Sequence, residues 1–523
     1  MTGGALLSPT RRNVIAGSAA LIAIGGARAS TSGDPVAVCR AGRFVGQKSN
    51  GVAAFRGIRY GQARRFQAPA SVPVSRDTIR ATEPGPACPQ RGKRHPQSED
   101  CLFLNVWTPA LDGPARLPVM VWIHGGGYAY GSANDPITDG RALAAAGDVV
   151  VVTVNHRLNT LGYLYLARLD PGFPDSGNAG QLDLVLALKW VRDNVAAFGG
   201  DPACVTLIGQ SGGGAKIATL MAMPAARGLF HRAITMSGQQ VTVSGPVHAT
   251  RRARAYLARL GLPDSTPRRL LDQPVEKLIE ALDADDPIEA STIYMGPVLD
   301  GRSLARHPFW PDADPGGLGV DLMLGGTRDE TRDFSDPASP EMRALSWDAL
   351  PDRIAAELPV DLSPEAVVRA YRGHMPGASP ADIFYAATTD GRSWRPQLIE
   401  AEARARAGRP AFVYQVDFAS PTNPDRGAFH GIDIGLIFGT FDAPYAWTGS
   451  GPQTRALSRL MQRRLVAFAR TGSPNVAGLP AWPTYEQQRR ATMIFDVASR
   501  VENDPRRWQR LQFAHAPYTQ PGT

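Results

Sequence analysis

The chain reads as an α/β protein with a mostly parallel central sheet and helices on both faces. Three observations predict this. Two apolar runs lack any alternation, Leu117–Ile123 (LPVMVWI) and 149–154 (VVVVTV). Such runs suit strands covered on both faces, as in the middle of a parallel sheet. Strand-like runs alternate with helix-like ones, which implies parallel pairing. The composition is that of a folded protein, 43% hydrophobic and 20% charged over 523 residues, and argues against disorder. The 54 Gly and 44 Pro imply many loops, but no repeat period runs through them, so a collagen-like or solenoid chain is excluded.

Taken in order, the chain begins with an export signal. Arg11-Arg12 precedes an apolar run from Val14 to Gly26, and Ala27-Arg28-Ala29 fits a small-x-small cleavage pattern. The run is about 13 residues long, short of the roughly 20 that a membrane-spanning helix needs, so it reads as the core of a signal peptide. A twin-Arg pair directs export of folded proteins in bacteria. The expectation is a signal over 1–29, a single domain over 30–523 and a periplasmic or secreted product. No later stretch is apolar and long enough to span a membrane. The formal charge of +8 falls to +5 without Arg11, Arg12 and Arg28, too weak to argue for nucleic acid. Four cysteines, Cys39, Cys88, Cys101 and Cys204, match no zinc spacing, and no metal is expected.

Residues 36–60 alternate apolar runs with Gly-containing turns, as in an antiparallel hairpin. Residues 101–107 form a strand, and Leu117–Ile123 runs straight into His124-Gly-Gly-Gly127. After the strand at 149–154 comes an amphipathic helix over 181–198, stopped by Gly199-Gly200. A short buried strand over 205–208 enters Gly209-Gln-Ser-Gly-Gly213, and 215–223 reads as helix. Residues 245–400 are harder to read. They are rich in Arg, Asp, Pro and Ala, with an amphipathic stretch at 253–260 and one clear strand at 320–324. A strand at Phe412–Val416 and a long helix at 455–470 follow. No linker divides the chain, so it reads as one domain with large insertions.

Gly209-x-Ser211-x-Gly213 lies between a strand and a helix. That turn lifts a serine hydroxyl above the sheet's C-terminal edge, and small residues at −2 and +2 let strand and helix pass. His124-Gly-Gly-Gly127 ends a core strand upstream, where glycine backbone N–H groups can approach a developing oxyanion. A serine nucleophile needs a base and an acid after it in the chain. His430, in the Gly-flanked loop Gly427-Ala-Phe-His-Gly-Ile-Asp433, suits the base. Asp329, Glu330 and Asp333 crowd after the 320–324 strand and are all candidates for the acid.

These segments resemble the type-B carboxylesterase and cholinesterase family. The likeness covers 36–500 and is carried by Phe55-Arg-Gly-Ile-Arg-Tyr60, Ser98-Glu-Asp-Cys-Leu-Phe-Leu-Asn105, Trp122-Ile-His-Gly-Gly-Gly127, Val152-Thr-Val-Asn-His-Arg-Leu158, Trp190-Val-Arg-Asp-Asn194, Phe198-Gly-Gly-Asp-Pro202, the stretch 205–213 and Met236-Ser-Gly238. The resemblance implies an α/β-hydrolase fold, small ester substrates and no cofactor. It implies Ser211 as nucleophile, Glu330 as acid, His430 as base, and the N–H groups of Gly126, Gly127 and Gly212 as oxyanion hole. It places Gln210, Ser237 and Asp433 beside them and pairs Cys88 with Cys101.

The chain departs from the family at three places. Gln210 stands where a Glu usually precedes the nucleophile, which should let His430 remain a free base to lower pH. Thr331 follows Glu330 in place of Gly. The loop between Cys88 and Cys101 carries Arg91, Lys93, Arg94 and His95 and no Trp, which argues against choline esters. Amide, carbamate or lactone hydrolysis could run on the same groups. A non-catalytic binding protein is the alternative in another class, and the complete set of reactive residues argues against it.

Overall fold

The central sheet is built, in chain order, from β1 (Gln47–Ser49), β2 (Val52–Arg59), β3 (Phe103–Thr108), β4 (Leu117–Ile123), β5 (Val150–Val154), β6 (Gly200–Gln210), β7 (Arg232–Met236), β8 (Asp321–Thr327), β9 (Phe412–Val416), β10 (Ala491–Phe495) and β11 (Arg500–Asn503). The computed structural model describes residues 33–523 except Lys93, Asp112, Pro114, Ala115, Ala290 and Pro359. The expected export signal over 1–29 lies outside the described residues. In space the strands run β11-β10-β9-β8-β7-β6-β4-β5-β3-β2-β1. From β5 through β10 the neighbours pair parallel. The edge strands β1, β2 and β3 at one side, and β11 at the other, are antiparallel.

The unalternating apolar runs sit where their pattern predicts. Along β4, Val119, Val121 and Ile123 enter one core cluster while Met120 and Trp122 enter another. A strand whose successive side chains point to opposite faces can be apolar throughout only if both faces are covered. Strands β4 and β9 match the expected residues at both ends. Strand β6 is longer than the expected 205–208, because its register shifts between Gly200 and Val205 and the polar Asp201-Pro202 interrupts the apolar signal. The expected hairpin at 36–60 is two hairpins. Val36–Cys39 pairs with Gly42–Val45 in a small separate sheet, and β1 pairs with β2 in the main one.

Helix Ala179–Asn194 tightens into a 3-10 turn at Val195–Phe198 and stops at Gly199, whose φ of 80° is left-handed. Helix Gly212–Ala222 follows β6, and the long C-terminal helix is Pro452–Thr471. Within the stretch that resisted sequence reading, helices Pro340–Arg343, Leu350–Glu357, Pro364–His374 and Pro380–Thr388 pack together. They share a small core of their own, with Ile354, Val367, Tyr371 and Phe384 buried in it. Residues Pro35–Thr523 form one compact unit. Among the described residues no helix is long and apolar enough to cross a membrane.

Candidate active site

Ser211 stands between β6 and helix Gly212–Ala222 with φ 56° and ψ −129°. A non-glycine residue there costs on the order of 1–3 kcal/mol and persists only where its surroundings fix it. Here the Ser211 N–H donates to Met236 O at 2.7 Å, and its carbonyl accepts from Ala215 N at 3.1 Å. The His124–Gly127 turn lies directly against this elbow. A Cβ at Gly212 would overlap the carbonyl of Gly127, and Gly126 has a φ of 82°. Both are therefore held to glycine, one by close approach and one by backbone conformation. The N–H groups of Gly126, Gly127 and Gly212 meet no protein acceptor among the described residues.

Glu330 lies just after strand β8. Glu330 is 1% exposed. Its Oε1 accepts from Thr327 N at 2.7 Å, and its Oε2 pairs with Nδ1 of His430. The neighbouring acids are engaged elsewhere. Asp329 accepts from Ala428 N at 2.8 Å, and Asp333 pairs with Arg426 at 2.6 Å. Of the three acids left open by the residue pattern, Glu330 is the one paired with His430. Thr331, the departure beside it, is also explained. Its hydroxyl bonds Tyr385 O at 3.0 Å, Thr388 Oγ1 at 2.8 Å and Thr389 Oγ1 at 3.0 Å. That cluster anchors the acid turn to the helical insertion.

His430 arrives on the loop after β9, and its Nε2 has no partner among the described residues. The Phe334 ring packs 4.8 Å from the imidazole. Burial disfavours the charged ring, but the charge and hydrogen bond of Glu330, with Asp333 and Asp433 behind it, outweigh burial and raise the His430 pKa above its ordinary 6.5. Asp433 is fully buried beside this pair. Burial first, then the Glu330 charge, push its pKa up to about 7. Ser237 has a φ of 50° and donates its N–H to Gly325 O at 2.6 Å, and its hydroxyl has no partner among the described residues. Four other histidines bond backbone groups instead: His231 to Val205, His248 to Thr523, His307 to Val243 and His374 to Ala370.

Gln210 is a strut. Its Nε2 donates to the backbone carbonyl of His430 at 2.8 Å, which ties the serine elbow to the histidine loop. Cys88 and Cys101 are free thiols here, both buried. They touch, and the hydrogen bond to Cys88, with burial, pushes the Cys101 thiol well up. Among the described residues no three His, Cys, Asp or Glu side chains converge where a metal ion could sit.

Two cavities meet at the elbow. One of about 720 Å³ is lined by Ser211, Gly127, Tyr294, Met295, Phe334 and Arg392. The other, of about 430 Å³, is lined by Gln210, His124, Arg94, His95 and Ile434, and the two share Arg91, Gly126 and Tyr130. The basic loop thus borders the site, although Arg91 is itself paired with Asp283. Tyr294, Met295, Phe334 and Arg392 come from the insertions, where no local pattern marked them.

The family model for the carboxylesterase family matches residues 33–513. The chain belongs to the carboxylesterase family. It is a carboxylic ester hydrolase with the α/β-hydrolase fold. It is 36% identical to the para-nitrobenzyl esterase of Bacillus subtilis (strain 168), over 89% of this chain and 95% of that one. It is 34% identical to a phenmedipham hydrolase of Pseudarthrobacter oxydans, over 90% and 97%. Its fold is similar to the crystal structure of a Geobacillus stearothermophilus carboxylesterase, with a TM-score of 0.82, 36% identity and coverage of 91% and 99%.

Proposed function

We propose that this carboxylesterase works through an acyl-enzyme on Ser211, with His430 as general base and then general acid and Glu330 holding the imidazole. The observation that carries this is the His430–Glu330 pair, which commits Nδ1 to the carboxylate and leaves Nε2 free. Nε2 takes the Ser211 proton as Oγ attacks the ester carbonyl. The carbonyl oxygen becomes an oxyanion at the N–H groups of Gly126, Gly127 and Gly212. The imidazolium then protonates the leaving alcohol, and water repeats the cycle on the acyl-enzyme. An ester has an acyl and an alcohol half, and the two cavities that share Gly126 supply one chamber for each. Ser211→Ala should lower kcat by roughly three to six orders of magnitude in a protein that still folds, and an organophosphate should label Ser211 alone. Near-normal turnover of that variant, or label on another serine, would remove the assignment. Esters of the kinds named for the two bacterial relatives are the natural first substrates.

The compartment follows from Arg11-Arg12 and the apolar run behind it. Export by the twin-Arg route would give a periplasmic or secreted protein beginning at Ser30, which N-terminal sequencing of the mature product reads directly. In that compartment the touching thiols of Cys88 and Cys101 should oxidise to a disulfide. Closing a loop of this size contributes on the order of 3 kcal/mol in the chain-entropy model. Peptide mapping without reduction tests it, and two free thiols in exported protein would refute it.

A further inference from the structure

Lys216 has no exposed surface. It lies four residues beyond Gly212 in the helix that follows the nucleophile, so one turn brings it under the same face. Its Nζ donates to the carbonyl of His124 at 3.1 Å and sits 5.5 Å from the centre of the Tyr128 ring. Those two residues bracket Gly125-Gly126-Gly127. A single buried ammonium therefore touches both ends of the turn that supplies two of the oxyanion-binding N–H groups.

Nothing nearby neutralises this charge. No acid lies within ion-pairing distance of Nζ among the described residues, and burial pulls the lysine pKa down to about 7. The groups around it come from several elements. His124 is on the turn itself, and burial, then the Lys216 charge, pull its pKa to about 3. His156, after β5, is driven down by the same two causes, and its ring nitrogens meet no hydrogen-bond partner among the described residues. From helix Ala179–Asn194, Gln181 donates to the Lys216 carbonyl at 3.3 Å. Buried Glu400 connects only through Gln240, which accepts from the Tyr128 hydroxyl at 2.8 Å. Burial raises Glu400 to about 8, so it is mostly protonated near neutral pH. Burying an ammonium among neutral groups is costly, and an apolar residue of similar length would avoid that cost.

We propose that Lys216 is a positioning residue of the oxyanion hole, whose buried ammonium fixes the His124–Tyr128 turn and sets an uncompensated positive charge beneath the N–H groups that receive the oxyanion. Charge that develops in the transition state strengthens this interaction in a low-dielectric interior, whereas the neutral ester carbonyl draws little from it. The effect belongs to kcat rather than to KM. It rests on the Ser211–His430–Glu330 reading above, and the two are tested separately.

The test compares Lys216→Met with Lys216→Gln, which keeps an N–H for the His124 carbonyl and loses the charge. Organophosphate labelling of Ser211 in each variant, with thermal melts, shows that the nucleophile and fold remain; failure of the wild-type protein to label there would fail the site reading, not this one. Both variants should lose kcat by roughly 10- to 100-fold, below the cost of deleting a direct oxyanion donor, with KM nearly unchanged. Affinity for a trifluoromethyl ketone, which mimics the tetrahedral adduct, should fall by the same factor. Wild-type kcat/KM should decline above about pH 7 as Lys216 loses its proton, and that limb should vanish in both variants. Wild-type kcat and ketone affinity in Lys216→Gln would overturn the proposal, as would a loss confined to KM. If neither variant folds, the wild-type protein decides: ketone affinity that declines above about pH 7 supports the proposal, and affinity level through that range overturns it.

Discussion

The serine elbow has two flanks, and each holds a buried imidazole. On one, His430 faces Glu330, Asp333 and Asp433, and its pKa is raised. On the other, His124 lies beside Lys216 with no acid in contact among the described residues, and burial with the lysine charge takes its pKa to about 3. The same side chain has its pKa pushed up on the carboxylate flank and down on the ammonium flank, as the base proposed for His430 and a neutral ring at His124 require. Surroundings that push titratable groups apart assign the acid–base roles. The division also suits the proposed reaction, in which an imidazolium would form on the first flank and an oxyanion near the second.

The largest effect should separate the flanks outright. Glu330→Gln removes the charge that stabilises the imidazolium and should cost about 10³–10⁴ in kcat. Asp329→Asn and Asp333→Asn, whose carboxylates serve Ala428 and Arg426, should cost less than about tenfold, and so should His124→Asn. Parallel turnover assays check the ranking. An Asp333→Asn loss equal to that of Glu330→Gln would mean that the acid is shared.

The two flanks were also unequally legible in the sequence. The serine elbow, the glycine turn and the His430 loop are local patterns of a few residues, and the structure brings them together as read. Lys216 was visible only as a residue in a helix, because burial and the distance to His124 are tertiary facts. The insertions failed for another reason. Their many prolines look like helix breakers, yet Ser339-Pro340, Ser363-Pro364 and Ser379-Pro380 each put a capping hydroxyl at the N-cap and Pro in the first turn. Read as start signals, these pairs would have located three helices. Strands β7 (RAITM) and β10 (ATMIF) are only five residues long and buried almost throughout, so no alternation marks them.

A smaller effect sharpens the carboxylate flank. A base must be neutral to act, so kcat/KM should fall as pH drops through the raised His430 pKa, with a midpoint above 6.5. Asp433, pushed up to about 7, is partly ionised in that range and adds to the field at the ring. Asp433→Asn removes this contribution, which lowers the His430 pKa and should move the acid limb to lower pH by less than about one unit. A limb that stayed put or rose would show that Asp433 does not act on the imidazole.

The smallest effect concerns Gln210, which joins the flanks. Electrostatics alone predicts that Gln210→Glu would add a carboxylate near His430 and lift the acid limb. The hydrogen bond changes that expectation, because the Gln210 amide donates to a carbonyl, at 2.8 Å. A carboxylate there would face an oxygen that can only accept. The introduced Glu is therefore favoured in its protonated form, which can donate as the amide does and adds no charge. The acid limb should move by less than about 0.3 unit. As pH rises and the new acid ionises, the strut should break and kcat/KM should fall a few-fold on the alkaline side, where the wild-type protein loses activity only through its own groups. The pH profiles of the two proteins, measured with one neutral ester, decide between the accounts. A limb raised by a full unit with no new alkaline loss would mean that the charge at this position matters and the hydrogen bond does not.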